Sequence, residues 1–481
     1  MLEFEEFRVA DRNSEFAGMP VSRLMENAGA QLAHEILSSF HDRKHAVFFC
    51  GSGNNGGDGF VAARLVSESK DTAVIVASAE RPTAGSLLGE KFSKISGLVR
   101  DDSYTETLPA ADIVIVDCLL GSGIDRPPAG RYLELIRKIN ELHGRGAAVL
   151  AADIPSGFPF AEHVIPDVTV TFMDTKTGMN EHNSGTIRIV DIGIPSKALE
   201  YTGPGEMLLF PVPHSSSHKG NNGIVTVIGG SIFPGAPVFS SLAAYRTGAD
   251  LVYTLVPGRM HDIVSSFSPN LMAFACGEND FSEAGIRTAM EWVERSGAVV
   301  IGPGTLFSSF DSIATKLIAE ISKPMVIDAS AIETVGRNNG LLHGKKTVVT
   351  PHSVEFFKLT GEEPGDDVDS RKEAVSKWAR RLGTTILLKG RIDVISDGER
   401  TKLNETGNAG MTVGGTGDVL TGIVAALLAK GLSPFNAARL GAYINGSAGD
   451  ICFGRKSYGL LATDVIEAVP EVLLNSLGKL K

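Results

Sequence analysis

Short apolar runs, rich in β-branched residues, alternate with helix-like segments along the first part of the chain. Continuous runs of this kind are typical of strands that are buried on both faces of a parallel sheet. Before the first run, Leu24, Ala28, Leu32 and Ile36 lie four residues apart, which places them on one stripe of a helix. The pattern therefore predicts an α/β domain. Its predicted strands are residues 46–49, 74–77, 113–116, 147–152 and 168–172.

The alternation is interrupted at residues 193–220, where Pro, Gly and Ser dominate and no hydrophobic period is sustained. Because such composition is typical of a linker, we place the boundary there and predict domains of residues 1–205 and 206–481. A second alternation follows without an internal repeat of the first, and it predicts a second doubly wound α/β domain. Its predicted strands are residues 224–228, 251–255, 298–301, 325–327, 347–349 and 386–388.

The length and the composition agree with two globular domains. A chain of 481 residues exceeds what one hydrophobic core supports, and 43% hydrophobic residues are enough to build two cores. The net charge of −11 excludes the broad cationic surface that nucleic-acid binding needs. No apolar run is long enough to span a bilayer, the N-terminus is acidic, and the 4 cysteines are dispersed. We expect a cytoplasmic protein without nucleic-acid or membrane partners.

A glycine-dense turn follows the first predicted strand, in the segment CGSGNNGGDGF at residues 50–60. The pattern G-x-G-x-x-G is matched there by Gly51, Gly53 and Gly56. Glycine-exposed amides at a helix start bind phosphates without basic side chains, although a turn that merely packs closely has the same glycines. Asn54, Asn55 and Asp58 add side-chain oxygens, which favours polar recognition or a monovalent cation.

Two later predicted strands of the first half also end in polar residues. The segment IVIVDCLLGSGIDRP contains Asp117 and Arg126, and VLAADIPSG contains Asp153 and Ser156. Ligands of open α/β sheets bind beyond the carboxyl ends of the strands, so these ends are predicted to converge on one crevice. Each aspartate on its own also fits an ordinary helix N-cap.

The segment GNAGMTVGGTGDVLTGIVAALLAKG combines a glycine turn with a long apolar helix that is predicted to begin near Asp418. Amides at this helix start would stabilise a transferring phosphoryl group, and Asp418 would accept the proton of the attacking hydroxyl. An N-cap role for Asp418 is the alternative. The residues of the turn are Gly414, Gly415, Thr416 and Gly417.

Further polar motifs lie upstream at strand ends, among them VIGGSIFPGAP, IGPG, TPHSVEF and LLKGRIDV. Taken singly, His352 is an ordinary loop residue and Lys389 is a solvated charge at a strand end. Their occurrence together with the glycine turn favours one shared site in the second half.

In the first half, the ordered motifs GSGNNGGDG, VDCLLGSGIDRP, ADIPSG and TVTFMDTKTG, the last containing Lys176, closely resemble the NAD(P)H-hydrate epimerase family over nearly all of residues 1–200. The resemblance implies a Rossmann-like three-layer domain in which Asp153 transfers the proton of the epimerised hydroxyl. It also implies a potassium ion held by Asn55, Asp117 and Ser156. The residues implied to contact the hydrated cofactor are Asn54, Asn55, Gly56, Gly57, Asp58, Gly121, Ser122, Gly123, Ile124, Asp125, Arg126 and Pro127.

From about residue 214 to the end, the motifs of the second half resemble the ribokinase-like NAD(P)H-hydrate dehydratase family. The resemblance implies a ribokinase-like α/β domain that uses ADP with Mg²⁺ and has Asp418 as its base. Contacts to the hydrated cofactor are implied for Ala236, Gly304 and His352. The implied nucleotide-binding residues are Lys389, Gly390, Arg391, Ile392, Asp393 and Asn408, in addition to Gly414, Gly415, Thr416 and Gly417.

The two resemblances together predict an enzyme that repairs hydrated NADH and NADPH. The first domain would interconvert the R and S hydrates, and the second would dehydrate the S hydrate with ADP to give NAD(P)H, AMP and phosphate. We also expect a homo-oligomer. Two alternatives stay open from the residues alone, namely a kinase for a vitamin or sugar and a non-catalytic nucleotide sensor.

Overall fold

The computed structural model describes residues 4–78 and 82–478 of the chain. It divides into two compact units, Met1–Leu199 and Glu200–Lys481. The division falls a few residues before the boundary predicted after residue 205. Each unit has a central sheet with helices on its faces, so the predicted α/β class is confirmed for both halves.

The first unit contains a fully parallel sheet whose strands follow in the order β3-β2-β1-β4-β5-β6-β7. The strands are β1 (His45–Cys50), β2 (Asp71–Val76), β3 (Val99–Arg100), β4 (Ile113–Cys118), β5 (Ala148–Ala152), β6 (Val168–Phe172) and β7 (Thr186–Val190). The helices are α1 (Phe4–Phe16), α2 (Val21–Ser39), α3 (Asn54–Val66), α4 (Leu87–Ser93), α5 (Gly130–Gly144), α6 (Glu181–Ser184) and α7 (Ser196–Glu200).

Strand β1 shows how this sheet is buried on both faces. Its Phe48 packs with the core on the side of α2 and α3, whereas its Phe49 packs with the core on the side of α5. Successive side chains of a strand point to opposite faces, so a continuous apolar run fills both cores. The predicted helical stripe of α2 is confirmed, because all four of its members are buried in the first of these cores.

The second unit contains a mixed sheet in the order β10-β9-β8-β11-β12-β13-β14-β15-β16, which is antiparallel only at β14-β15 and β15-β16. The strands are β8 (Ile224–Ile228), β9 (Leu251–Val256), β10 (Met272–Ala275), β11 (Ala298–Ile301), β12 (Met325–Ile327), β13 (Thr347–Val349), β14 (Thr385–Leu388), β15 (Asp393–Ser396) and β16 (Thr401–Asn404). The helices are α8 (Gly235–Arg246), α9 (Gly258–Ser265), α10 (Glu283–Glu294), α11 (Phe307–Glu320), α12 (Ser330–Arg337), α13 (Ser353–Thr360), α14 (Val368–Leu382), α15 (Thr416–Ala429), α16 (Pro434–Lys456) and α17 (Ala462–Leu477).

The strands that the sequence pattern missed lie at the margins of the two sheets. They are β3 and β7 in the first unit and β10, β15 and β16 in the second. The side chains of β7 and β10 are largely half-buried or exposed, so they lack the continuous apolar run that identified the inner strands. Within the described residues, no helix is both long and apolar enough to cross a membrane.

A buried ion pair joins the first residues of the second unit to its helical layer. Glu206 and Arg439 are both 0% exposed, with 4.0 Å between a carboxylate oxygen and a guanidinium nitrogen. Glu206 also accepts a hydrogen bond from the backbone amide of Gly203 at 2.7 Å. Removing one partner of such a pair takes away charge that compensates the other group inside the core, which is strongly destabilising.

We therefore expect Glu206→Gln to lower the free energy of unfolding of the second unit by about 3–5 kcal/mol. Urea denaturation followed by tryptophan fluorescence measures this unit alone, because Trp292 and Trp378 are the 2 tryptophans of the chain. Glu467→Gln is the matched control, since its pair with Arg246 is solvent-exposed and contributes at most about 1 kcal/mol. Equal stability of the two variants would contradict the prediction.

Candidate functional site

The strand order of the first sheet reverses between β1 and β4, and a cavity of this unit lies at that switch point. The cavity has a volume of about 440 Å³. Its wall includes Gly53 and Asn54 after β1, Leu119 after β4 and Asp153 after β5. The predicted convergence of the three strand ends on one crevice is therefore confirmed. A switch point of this kind is where open α/β sheets bind their ligands.

The glycine turn after β1 serves both packing and access. A Cβ on Gly51 would lie 1.9 Å from the carbonyl oxygen of Leu119, and one on Gly56 would lie 2.0 Å from that of Gly51. The close-packing alternative therefore explains these two glycines. Gly53, by contrast, has open space before it and precedes the first residue of α3. The free amides at the start of α3 are thus accessible from the cavity, as anion binding requires.

A set of buried oxygen atoms lies next to the cavity wall, to which Asn55 itself belongs. Asp117 is fully buried and accepts hydrogen bonds from the Ser156 amide at 2.7 Å and from the Ser156 hydroxyl at 2.6 Å. Burial raises the pKa of Asp117 to about 6. Asn55 is also buried, and neither atom of its side-chain amide has a hydrogen-bond partner in the described structure. An amide oxygen of this kind, which lies beside Gly121, is the type of ligand that a hard cation accepts.

Asp153 is held at the end of β5 by a buried lysine. Its backbone adopts a left-handed conformation, with φ of +66°, which is unfavourable for a residue other than glycine. Its carboxylate accepts a hydrogen bond from Lys176, which is 1% exposed and also donates to Thr171 Oγ1 at 2.7 Å. No helix begins at Asp153 or at Asp117, so the N-cap alternative is wrong for both.

The structure brings only part of the predicted substrate-binding set to this cavity. The members on the wall are Asn54, Asn55, Asp58, Gly121, Ser122, Gly123 and Ile124. Gly56 and Gly57 are buried inside α3, and Asp125, Arg126 and Pro127 are exposed beyond the wall. The sequence interpretation missed the contribution of α1, because an amphipathic helix shows no sign of which tertiary neighbour its polar residues will face.

In the second sheet the strand order reverses between β8 and β11, and glycine turns follow both strands. Gly304, with φ of +68°, lies after β11, where a Cβ would come within 2.3 Å of the carbonyl oxygen of Phe233. That Cβ would also lie 3.0 Å from the Cβ of Ala236, in the first turn of α8. The predicted cofactor contacts Ala236 and Gly304 are therefore direct neighbours at the switch point.

Asp418 lies in the first turn of α15, where Gly415 is the N-cap residue. The N-cap alternative for Asp418 is therefore wrong. Burial raises the pKa of Asp418 to about 7, with a further increase from Asp328 that Lys389 opposes. The Ser240 hydroxyl of α8 donates to the Asp418 carbonyl at 2.9 Å, which connects this turn to the helix that carries Ala236. A carboxylate with this pKa at a helix start is suited to accept a proton at neutral pH.

Lys389 and two unpredicted acids face this turn. The Lys389 ammonium lies 3.1 Å from Asp328 and 3.7 Å from Glu355, and it is only 21% exposed. Burial alone would lower the pKa of Lys389, but Asp328 and Glu355 outweigh it and raise that pKa. The solvated-charge alternative for Lys389 is thus wrong. A Cβ on Gly417 would lie 3.4 Å from the ammonium, so Lys389 lies beside the glycine turn.

The sequence did not identify Asp328 and Glu355 as site residues, because in each of their motifs the interpretation rested on a different residue. Asp328 directly follows β12, and Glu355 is in the first turn of α13, three residues after His352. A polar residue immediately after a buried strand was the available signal for Asp328. For Glu355 no such signal was available, because its reciprocal capping partner is His352 rather than the Ser, Thr, Asp or Asn that marks a capping box in a sequence.

His352 is the N-cap residue of α13 rather than a featureless loop residue. Its Nδ1 accepts hydrogen bonds from the amides of Val354 at 3.2 Å and Glu355 at 3.4 Å. The Glu355 carboxylate reciprocates by accepting from the His352 amide at 2.9 Å. When Nδ1 accepts these bonds, Nε2 of the ring carries the proton, and it lies 3.5 Å from a carboxylate oxygen of Glu355.

The predicted nucleotide-binding segment after β14 is organised by Asp393. Its carboxylate accepts hydrogen bonds from the Gly390 amide and from the Asn404 side chain, both at 2.9 Å. Burial raises the pKa of Asp393 to about 6. Asn408, on the segment after β16, donates to Asp450 of α16 at 2.8 Å. These contacts fix the positions of the two predicted loops. Ile392 is half-buried and packs against the hydrophobic core of the second unit.

Comparisons with solved structures and protein families define the class. Residues 225–471 match the NAD(P)H-hydrate dehydratase family, and residues 21–178 match the YjeF-related protein N-terminus family. A ribokinase-like superfamily protein from Enterococcus faecalis is 26% identical with a TM-score of 0.51, and it covers 58% of this chain and 96% of its own. The ADP/ATP-dependent NAD(P)H-hydrate dehydratase of Bacillus subtilis, co-crystallised with ATP and Mg²⁺, is 25% identical with a TM-score of 0.51, covering 58% and 98%. The chain is therefore a two-domain α/β enzyme whose C-terminal part is ribokinase-like.

Similarity over the whole length defines the family. The bifunctional NAD(P)H-hydrate repair enzyme Nnr of Archaeoglobus fulgidus is 36% identical over 98% of this chain and 97% of its own length. That of Methanothermobacter thermautotrophicus is 36% identical over 96% and 93%, respectively. The chain belongs to the bifunctional NAD(P)H-hydrate repair enzyme family.

Proposed function

We propose that the chain repairs hydrated NADH and NADPH in two catalytic domains. The N-terminal domain epimerises the R and S hydrates, and the C-terminal domain dehydrates the S hydrate with ADP to give NAD(P)H, AMP and phosphate. The observation that carries the proposal is Asp418, a carboxyl group with a pKa near 7 in the first turn of α15, beside the Lys389 ammonium. Membership of the family favours this repair function over a vitamin kinase or a nucleotide sensor.

The chemistry of the dehydratase follows from the poor leaving ability of hydroxide. The oxygen of the ring hydroxyl attacks the β-phosphorus of ADP, and AMP leaves. Asp418 takes the proton of that hydroxyl during the attack. The ring carbon then loses phosphate, the adjacent carbon loses a proton, and the ring double bond forms. The amides at Gly415 and Gly417 stabilise the charge on the transferring phosphoryl group. Lys389 neutralises part of that charge.

Magnesium enters this scheme together with the nucleotide. Within the described residues, no group of three or more His, Cys, Asp or Glu side chains is arranged to hold a metal by itself. Mg²⁺ commonly binds through one or two carboxylates plus phosphate oxygens, and Asp328 and Glu355 offer such carboxylates beside Lys389. Bound there, Mg²⁺ would neutralise the phosphates of ADP.

The chemistry of the epimerase is simpler. The hydrated ring carbon carries a hydroxyl beside a ring nitrogen, whose lone pair stabilises the cation that forms when water leaves. Asp153, oriented by Lys176, transfers a proton to or from this oxygen. Return of water to the other face of the ring inverts the carbon.

A potassium ion is the second part of the epimerase proposal. The orphaned amide of Asn55 and the buried oxygens of Asp117 and Ser156 fit a hard monovalent cation. We expect K⁺, but not tetramethylammonium at equal ionic strength, to stabilise the N-terminal domain by about 2.7 kcal/mol at a concentration 100 times its Kd. Calorimetry records the unfolding of both domains, whereas tryptophan fluorescence reports only the C-terminal domain, which contains both tryptophans. The calorimetric transition without a fluorescence change is therefore that of the N-terminal domain. In Asn55→Ala the effect of K⁺ should disappear, and an unchanged effect would contradict the assigned ligand.

One assay tests the complete function. An equal mixture of both hydrate epimers is incubated with the purified chain, ADP and Mg²⁺, and the return of NADH absorbance is followed. Full conversion supports both activities, whereas conversion that stops at half supports the dehydratase alone. A parallel incubation with a vitamin tests the kinase alternative, which accumulation of the phosphorylated vitamin without restored NADH would favour. Nucleotide binding without turnover would favour a sensor.

A further inference from the structure

Helix α1 brings a second acidic group to the cavity that contains Asp153. Phe7 and Asp11 of this helix lie on the cavity wall, together with Asp58 of α3. The Phe7 ring packs against the ammonium of Lys176, with 4.3 Å between the nitrogen and the ring centroid. Asp11 follows Phe7 by one helical turn, so the two side chains lie on the same side of α1.

Asp11 interacts with two carboxylates and one buried ammonium. The carboxylates are Asp58 and Asp153, the ammonium is Lys176, and Arg8 on the same helix also lies on the wall. The residues that α2 contributes to the wall are uncharged. The side chain of Asp11 is exposed in the open cavity, but the surrounding protein removes part of its hydration. This desolvation, and then the charge of Asp153, raise the pKa of Asp11 to about 7, although Lys176 lowers it in part. Asp11 therefore gains and loses its proton near neutral pH, as a general acid and base must.

Asp58 is less suited to exchange protons. Burial, followed by the charges of Asp153 and Asp11, raises the pKa of Asp58 well above its ordinary value. Asp58 is also only partly accessible, whereas Asp11 is exposed to the cavity. Of these two additional carboxyl groups, Asp11 is therefore the one that is more accessible from the cavity.

The inversion of a carbon atom needs proton transfer on both faces of the ring. The departing hydroxyl takes a proton and leaves as water from one face, and the entering water forms the new C–O bond and releases a proton on the other. A carboxyl group beside one face does not reach the oxygen on the opposite face. We propose that Asp11 is the second proton-transferring residue of the epimerase site, serving one face of the hydrated ring while Asp153 serves the other. The inference rests on the epimerase function proposed above.

Oxygen-18 exchange separates this role from a structural one. The R and S hydrates, each labelled at the ring hydroxyl, are incubated separately with the full chain, and both epimerisation and loss of label to water are measured above the uncatalysed rate. In Asp11→Asn we expect epimerisation to fall by about 100-fold or more. One epimer should still lose its label, because Asp153 expels and returns water on the face of the ring that it serves. The control is Glu15→Gln, which removes an exposed carboxylate of α1 that pairs with Arg12 and does not line the cavity.

Every outcome of this experiment bears on the inference. Near-wild-type epimerisation by Asp11→Asn would overturn it, as would an equal loss of exchange from both epimers. Asp11→Glu, which retains a carboxyl group, should keep at least about a tenth of the wild-type rate, and a rate as low as that of Asp11→Asn would overturn the assignment. Dehydration by the C-terminal domain checks that each variant is intact. A wild-type chain that does not epimerise overturns the proposed function itself, whereas an active wild type with an equally active Asp11→Asn overturns this inference alone.

Discussion

Replacing Asp418 by asparagine is expected to reduce ADP-dependent dehydration by about 10²- to 10⁴-fold, the range that a positioned general base contributes. The substitution conserves the shape of the side chain in the first turn of α15 but removes its ability to accept the hydroxyl proton. The turn of Gly415 and Gly417 stays in place, so the nucleotide should bind with near-wild-type affinity. Calorimetric titration with ADP and Mg²⁺, beside the rate of NADH recovery from the S hydrate, separates the two effects.

The pH dependence of the same rate gives a second readout. Because the base must be ionised to accept a proton, and the pKa of Asp418 is raised to about 7, the wild-type rate should fall tenfold per pH unit below that value and level off above it. Asp418→Asn should lose this inflection. Asp369→Asn is the matched control, since Asp369 is 93% exposed on α14. Dehydration by Asp418→Asn at a rate close to that of this control would contradict the assigned base.

Replacing Asp153 by asparagine is expected to abolish enzymatic epimerisation and leave dehydration unchanged. The amide cannot exchange the proton that the departing hydroxyl needs, and a loss of about 10²- to 10⁴-fold follows. With a mixture of epimers, ADP and Mg²⁺, NADH recovery should therefore stop near half and continue only at the uncatalysed rate. The S hydrate alone should still be converted completely, which shows that the C-terminal domain of the same molecule is active.

A structural consequence accompanies this second substitution. Lys176 is 1% exposed and loses its anionic partner, so the N-terminal domain should also become less stable by about 3–5 kcal/mol. Thermal unfolding measures this effect and sets the temperature at which the activity assay is run. Asp42→Asn, at an aspartate that is 66% exposed, should change neither property. Full conversion of the mixture by Asp153→Asn at the wild-type rate would refute the role of Asp153.

The inner strands and the glycine turns could be predicted from the sequence, because their cause is local. Strands such as β1 and β8 are buried on both faces and are therefore apolar throughout. The marginal strands β7 and β10 were missed because they are buried less completely and carry no such run. The positions of Asp117, Asp153 and Asp418 at element ends were likewise visible, since the carboxyl ends of strands and the starts of helices are local features.

The neighbours of these residues depended on contacts between distant segments. Asp11 lies on a helix that precedes the first sheet, and only the packing of α1 beside Lys176 brings it to the cavity of Asp153. Asp328 and Glu355 belong to the site because both carboxylates pair with the Lys389 ammonium, and this contact exists only in the folded chain. A pKa near 7 for Asp418 is also a tertiary property, because it arises from burial and from charges on other elements.

The amino-acid sequence by itself determined two α/β domains in succession, the helix starts with their glycine turns, and a strong resemblance to a family of hydrate repair enzymes. Only the tertiary structure decided which side chains share a cavity, which carboxyl groups have raised pKa values, and which polar atoms stay unpaired. The physical reason is the range of the interactions. Hydrophobic periodicity and backbone conformation depend on neighbouring residues, whereas desolvation and Coulomb interactions depend on groups that only folding brings together.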